Sequence, residues 1–408
     1  MKRIIMAAAL AATPSLALAQ VGIGAVDPLQ PQAPPSTSTT NGFTFGGALD
    51  AELDLDRNGR RGPISSYGNL YTKMELGLYL GLPYGFTVNF IGKYEPADRD
   101  PTGSNMYFSN QSAWIDQLYL NWNRGPLDVF VGKIHPRFGF AWDIAPGLYG
   151  TDVAEQYELT EKIGAGAQLS ISDIFGVSGM IGEHNIRAEF FQADRTAVSG
   201  SLFAARWLNP NASSLAGYNI YNWRNQRAFG GADNTQGIGN FVISLAGERV
   251  PMPIGTLQYN AGYSQRRAGI DSVDAGTANT EHGYVAGAVW EFPLIWRIEA
   301  APIVEYVRLD NANGVNDQRQ EYITAGFSLT RTPWTFAYVY AARRDSDQAN
   351  GGDSVATQNM ASVTVDVSYF ANLGIFKGLE FTVGWRNLRE GGISSNDYGA
   401  QLAWGYKF

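Results

Sequence analysis

The sequence predicts an all-β chain closed into a transmembrane antiparallel β-barrel of sixteen strands. Three observations carry this reading. The chain opens on an export signal. No later segment offers the 18 or so consecutive apolar residues that a spanning helix needs. From Gly42 onward, segments of about ten residues alternate apolar and polar with period two. A chain that enters a bilayer without helices must close its strands, because lipid cannot satisfy open backbone groups.

The first stretch, "MKRIIMAAALAATPSLALAQ", has Lys2 and Arg3 as a positive n-region, then a short apolar core, then Ala17-Leu18-Ala19. This is the pattern of a cleaved bacterial signal peptide over residues 1–19. Pro14 and the shortness of the core argue against a membrane anchor. Residues 20–41, "QVGIGAVDPLQPQAPPSTSTTN", are rich in Pro, Ser and Thr with little to bury, and are expected to form a disordered periplasmic linker. Residues 42–408 are left for the barrel.

Composition fits. Cysteine is absent, so no disulfide framework supports the exported chain. The 47 Gly, 21 Tyr, 21 Phe and 10 Trp, with only 17% charged residues, suit strands, tight turns and aromatic girdles. The formal charge is −8, and loss of Lys2 and Arg3 with the signal takes it to −10. That excludes the basic face of a nucleic-acid binder.

Sixteen alternating segments start near Phe43, Tyr67, Gly85, Ser112, Leu127, Glu161, Glu183, Ile238, Gly255, Glu281, Ile295, Arg319, Trp334, Thr357, Gly378 and Asn396. In "VTVDVSY", Val363, Val365, Val367 and Tyr369 oppose Thr364, Asp366 and Ser368. In "IWRIEAAPIVEYV", Trp296, Ile298, Ala300, Val304 and Tyr306 oppose Arg297, Glu299 and Glu305. Short connections such as "GLPYG", "NRGP", "EFPL" and "RTPW" alternate with longer polar ones. Long extracellular loops and short periplasmic turns follow, with both termini on the turn side. An eighteen-strand alternative would add a hairpin from "SLFAARWL" and "AGYNIYNW" within 192–237; the Asn, Arg and Gly there break the alternation and favour one large loop.

The last strand, "YGAQLAWGYKF", places Tyr398, Leu402, Trp404, Tyr406 and the terminal Phe408 on one face. A final amphipathic strand ending in Phe resembles the insertion signal of bacterial outer-membrane proteins, which implies recognition of Phe408 by the barrel-assembly machinery. The stretch "VGKIHPRFGFAWD" resembles the GK-x-x-P-x-FG element of general and phosphate-selective porins, through Gly132, Lys133, Pro136, Phe138 and Gly139. The barrel as a whole resembles a Gram-negative porin. That resemblance implies an outer-membrane homotrimer whose third loop folds into the lumen.

The third long loop here is "APGLYGTDVAEQYELTEK". Asp143, Asp152, Glu155 and Glu158 are its candidate constriction residues, with Asp152 and Glu155 spaced as a capping-box-like pair. Strand parity names the lumen-lining charges as Asp50, Glu52, Lys73, Glu75, Arg187, Glu189, Arg266, Arg297, Glu299, Glu305, Asp366 and Arg386. Such charges sort ions by focusing the field in a wet pore; the same groups as paired salt bridges would simply stiffen the wall.

Other chemistries are less well supported. Asp54, Asp56, Asn58 and Gly59 fit the start of a calcium loop, but Ser65 stands where its bidentate Glu belongs and three arginines crowd the segment. The better reading is a strand, with Asp50, Glu52, Asp54 and Asp56 facing water. His135, His184 and His282 form no grouping with Ser and an acid, and no zinc spacing. No cofactor or metal and no catalysis are expected. The reading is a passive channel for small hydrophilic solutes and ions, in contact with outer-membrane lipids. The runner-up is a substrate-specific channel for sugars or anions, ahead of a surface enzyme or receptor.

Overall fold

A computed structural model describes residues 42–62, 64–96, 104–109, 111–203, 207–208, 218–219, 231–235, 237–269, 279–347 and 352–408. The signal and linker segments lie outside the described residues.

Sixteen strands form one antiparallel sheet that closes on itself: β1 Thr44–Asn58, β2 Tyr67–Leu82, β3 Phe86–Pro96, β4 Gln111–Arg124, β5 Leu127–Ile134, β6 Lys162–Ser170, β7 Glu183–Ala193, β8 Asn240–Pro251, β9 Thr256–Arg266, β10 Glu281–Pro293, β11 Glu299–Asp310, β12 Gln318–Arg331, β13 Trp334–Asp347, β14 Gly352–Asp366, β15 Glu380–Glu390 and β16 Ile393–Lys407. Each strand pairs with its sequence neighbours, and β16 pairs with β1 from Ala48↔Lys407 to Arg57↔Tyr398. Closure leaves no strand edge, the condition for spanning a bilayer with strands. The seam ends in a reciprocal pair: the Gly47 and Phe408 amides each donate to the other's carbonyl at 3.0 Å. Phe408 also packs its ring against Phe45 and Tyr406, at centroid distances of 6.4 and 6.1 Å.

Trp207–Leu208 and Tyr218–Asn219 do pair with each other, but as an isolated ladder within the loop between β7 and β8. The barrel therefore has sixteen strands. Opposite the termini the connections at 97–110, 135–161, 194–239 and 267–280 are long, whereas β15 and β16 are joined by residues 391–392 alone. At the end that carries the termini, 171–182 and 367–379 are longer than their neighbours and contain short helical turns.

Alternation follows the closed sheet. Val304, Tyr306, Ile323, Phe336, Tyr340, Val363, Val383 and Leu402 are exposed on the outside. Asn89, Asn121, Asn260, Thr324, Ser362, Thr364, Thr382 and Gln401 are buried on the inside. Burying such groups is tolerable only with hydrogen-bond partners or water within reach. On β10 to β14 the inner face turns apolar, with Val285, Val289, Ile303, Val307, Leu309, Val339, Ala341 and Met360. The loop 135–161 lies on this patch through Phe138, Phe140, Ala141, Tyr149, Val153, Tyr157 and Leu159, so a buried apolar cluster of the described residues sits inside the lumen.

One parity assignment is corrected. Arg297 is exposed in the 294–298 turn with φ 58°, and β11 begins only at Glu299. Trp296 and Arg297 both adopt left-handed backbone there, so the strand begins at Glu299, four residues after the Ile295 start that the sequence pattern implies. Among the described residues Arg297 and Glu299 form no ion pair.

Candidate pore and its inward loop

The loop that leaves β5 crosses the lumen and returns, and its attachments can be followed residue by residue. At its root, Lys133 is only 1% exposed. Its Nζ lies 2.9 Å from Glu161 Oε2, 3.1 Å from Asp194 Oδ2 and 3.0 Å from the Val198 carbonyl. One ammonium thus ties together the strand, the end of this loop and the start of the next. A buried cation is tolerated only where anions and acceptors surround it in this way.

Two residues on, His135 Nε2 contacts Asp116 of β4 at 3.2 Å, an ion-pair contact without hydrogen-bond direction, and its Nδ1 lies 3.8 Å from Glu158. Burial alone would lower the His135 pKa, but the Asp116 and Glu158 charges outweigh it and raise it. Burial pushes the Glu158 carboxyl up to about 7, against the pull of His135 and Lys93. The Arg137 amide donates to Glu189 Oε2 at 2.8 Å.

The loop then meets Glu305, 1% exposed on β11. Its carboxylate accepts from the Phe140 amide at 2.8 Å, the Ala141 amide at 3.1 Å and the Tyr157 hydroxyl. Three donors compensate the desolvation of the charge. Gly139, at φ +78°, makes the approach possible, since a Cβ there would lie 2.9 Å from Glu305 Oε1. The short helix α1, Ala141–Ile144, starts directly after this contact and holds Asp143, half-buried.

At its tip the loop reaches the far wall. Tyr149 donates its hydroxyl to Asp56 Oδ1 of β1 at 2.7 Å and stacks beneath the Arg386 guanidinium, 4.6 Å from its ring centre. Burial raises the Tyr149 pKa, so the phenol stays neutral and keeps its proton to donate. Arg386 on β15 pairs with Asp152 of the loop and, at 2.6 Å, with Asp397 of β16. Asp397 also takes Arg61 at 2.7 Å and the Gly59 amide at 2.8 Å, which fastens the first loop to the same point. The returning arm passes Arg343 of β13, which donates to Gln156 at 2.8 Å, and Tyr322 of β12, whose ring meets Tyr157 at 5.1 Å.

The structure therefore does not gather the four loop acids into one rim. Asp152 is turned to β15 and Glu158 toward His135 and β4, while Glu155 is exposed and accepts from Thr151 at 2.7 Å. No capping box forms between Asp152 and Glu155: the single 3₁₀ turn Ala154–Gln156 starts after Val153 without a side-chain cap, because Asp152 is held by Arg386.

Of the strand charges, Glu52 pairs loosely with Lys73 at 3.9 Å, and Glu75 with Lys93 at 3.7 Å, itself 3.4 Å from Asp116. Arg187 pairs with Glu189 at 2.7 Å and covers the Phe130 ring at 4.3 Å. Arg266 pairs with Glu281 and, at 3.6 Å, with Asp233. Asp50 is half-buried on the same face of β1 as Glu52. Asp366 accepts from Ser368 at 2.5 Å, and Glu299 is exposed beside its turn. Asp54 and Asp56 are held by Gln401 and by two tyrosines, respectively, with no group of three or more His, Cys, Asp or Glu placed to hold a metal ion among the described residues.

Sequence reasoning missed Lys93, Asp116 and Asp397, which strand parity could have found. It also missed the loop partners Tyr149, Tyr157, Glu161 and Asp194, whose roles depend on where the loop lands.

No protein-family model matches the chain, and no curated protein matches it. Solved structures do. The chain is similar to the outer membrane channel DcaP of Acinetobacter baumannii, with 10% identity over 89% of this chain and 97% of that one and a TM-score of 0.52. It is similar to Pseudomonas putida OprB, with 12% identity over 90% and 94% and a TM-score of 0.56. It is also similar to the trimer form of the Vibrio cholerae outer membrane protein OmpT, with 7% identity over 89% and 99% and a TM-score of 0.50. At these identities the likeness is one of fold: the chain shares the closed barrel of outer-membrane channels.

Proposed function

We propose that this chain is an outer-membrane porin, a water-filled channel for passive diffusion of small hydrophilic solutes and ions. The observation that supports it most is the loop 135–161, folded into a sixteen-stranded barrel and fixed to opposite walls. A barrel of this size is too wide to be filled by side chains. A loop seated across it sets a size limit without a catalytic group. Asp152 beside Arg386 and the exposed Glu155 on the loop, with the charges of the strand walls, then sort solutes by charge, while Asp143 and Glu158 lie further from that point.

The remaining assignments belong to the same reading. Residues 1–19 direct export and residues 20–41 link the barrel to the periplasm. Phe408, the outward-facing end of the closing strand, is the contact for the barrel-assembly machinery. Three copies assemble in the membrane, in keeping with the trimer form of the OmpT structure. Liposomes containing the purified protein should swell in small uncharged solutes such as arabinose, and progressively less in di- and trisaccharides. Swelling that does not depend on solute size, or is absent for all of them, would contradict sieving by the loop.

A further inference from the structure

The inner face of β1 carries Asp50, Glu52, Asp54 and Asp56 at every second position. Successive carboxylates on such a face stand roughly 7 Å apart along the strand. Two of the four have unmet capacity. Asp56 is satisfied, accepting from Tyr71 at 2.8 Å and Tyr149 at 2.7 Å. Asp54 is not: it is only 3% exposed, its Oδ1 accepts from Gln401 at 2.9 Å, and its Oδ2 has no partner. A buried carboxylate oxygen without a donor is costly, and it marks a place where a donor belongs. Glu52, next along the strand, is open to the lumen, with its side chain 30% exposed.

The protein shows what kind of donor this wall accepts. Lys73 of β2 extends its ammonium to 3.9 Å from Glu52 Oε2 and 5.7 Å from the centre of the Tyr71 ring. A cation between a carboxylate and an aromatic face is an arrangement that favours ammonium groups. The hold is loose, because the Lys73 side chain is 43% exposed and the contact to Glu52 is long. On the other side of β1, the residues paired with Asp56, Glu52 and Asp50 are Gly399, Ala403 and Gly405. Ala403 and Gly405 are too small to cover Glu52 and Asp50, which leaves the row open at that end, whereas Tyr149 and Leu148 fill the space at Gly399 and Gln401 stands over Asp54.

We infer that this wall is a binding track for linear organic diamines, with one ammonium on Glu52 and the other on Asp54, and with Lys73 as the tethered ammonium that a solute displaces. The inference rests on the channel reading for its access route, but its test does not. Calorimetric titration of the purified full-length barrel in detergent with 1,4-diaminobutane should give saturable binding. 1-Aminobutane, with one ammonium, should bind at least ten-fold more weakly, and 1,4-butanediol not at all. The double variant Glu52→Gln, Asp54→Asn should weaken diamine binding at least ten-fold. Lys73→Met should tighten it several-fold, a gain that a misfolded barrel could not give. Equal affinity for monoamine and diamine, no saturable binding by the intact protein, or weaker binding by Lys73→Met would each overturn the inference. Diamine binding by a protein that conducts no ions would remove the channel reading and leave the track; conduction without diamine binding would do the reverse.

Discussion

Replacing Lys133 by Met should be the most damaging single change in the barrel. Glu161 and Asp194 are 1% and 0% exposed, and Lys133 is the cation they share. Removing one partner of a buried ion pair leaves an uncompensated charge and costs about 3–5 kcal/mol. Here two carboxylates are stranded by one substitution. The expected result is a lower thermal unfolding midpoint in detergent, with new protease cleavage near residues 159–163 and 194–198, where the two loops leave their strands. The triple variant Lys133→Met, Glu161→Gln, Asp194→Asn should recover part of the loss, since sites that share a charge are not additive. A Lys133→Met barrel as stable as the parent would show that the two loops are held by packing instead.

The second large effect is expected at Glu305. In Glu305→Gln the amide accepts at one atom only, so its NH₂ confronts either the Phe140 amide, which bonds Oε2, or the Ala141 amide and the Tyr157 hydroxyl, which bond Oε1. Hydrogen bonds to a charged group contribute about 1.5–3 kcal/mol each, so the loss should reach at least about 2 kcal/mol. The functional consequence is local. The strands remain paired, while the loop loses its central attachment to β11 and moves more freely in the lumen. Single-channel records should therefore show larger and noisier conductance, with the unfolding midpoint only modestly lowered. Unchanged conductance, with the fold intact, would place the narrowest part of the pore elsewhere.

Most of the fold was legible in the sequence because one physical rule governs it. A closed membrane barrel has lipid outside and water inside, so period-two alternation runs through nearly every strand, and segment starts such as Tyr67, Leu127, Glu183, Glu281 and Trp334 coincide with strand starts. The rule weakens where the environment departs from it. On β11 the inner face carries Ala301, Ile303, Val307 and Leu309 because the loop covers it, while Val304 and Tyr306 are exposed on the outer face. Both faces are then apolar, alternation fades, and the register near Arg297 is misjudged. At β14 the polar stretch Gly352–Ala356 reads as loop but continues the ladder, since it pairs with β13 down to Asp347↔Gly352.

The site was less legible for a related reason. Parity shows which wall a strand residue faces, but it cannot show where a loop lands. Asp152 reads as a helix-capping acid until the Arg386 guanidinium is found beside it, and Glu305 reads as one lumen charge among several until three loop donors converge on it. The exception is the segment around Lys133 and Gly139, whose unusual residues were visible in sequence. Their reason is now physical: a buried ammonium that joins two loops, and a backbone position where a side chain would strike a carboxylate.

The central claim is that this barrel holds an open, aqueous, charge-sorting pore across a membrane. Reconstitution of the purified protein into a planar bilayer under a salt gradient tests it most directly. The account predicts stepwise insertion of open channels with ohmic conductance, and a reversal potential displaced toward that of the cation. A membrane that stays sealed although folded protein has inserted would contradict the channel itself, and a reversal potential on the anion side would contradict the role given to the carboxylates of β1 and of the inward loop.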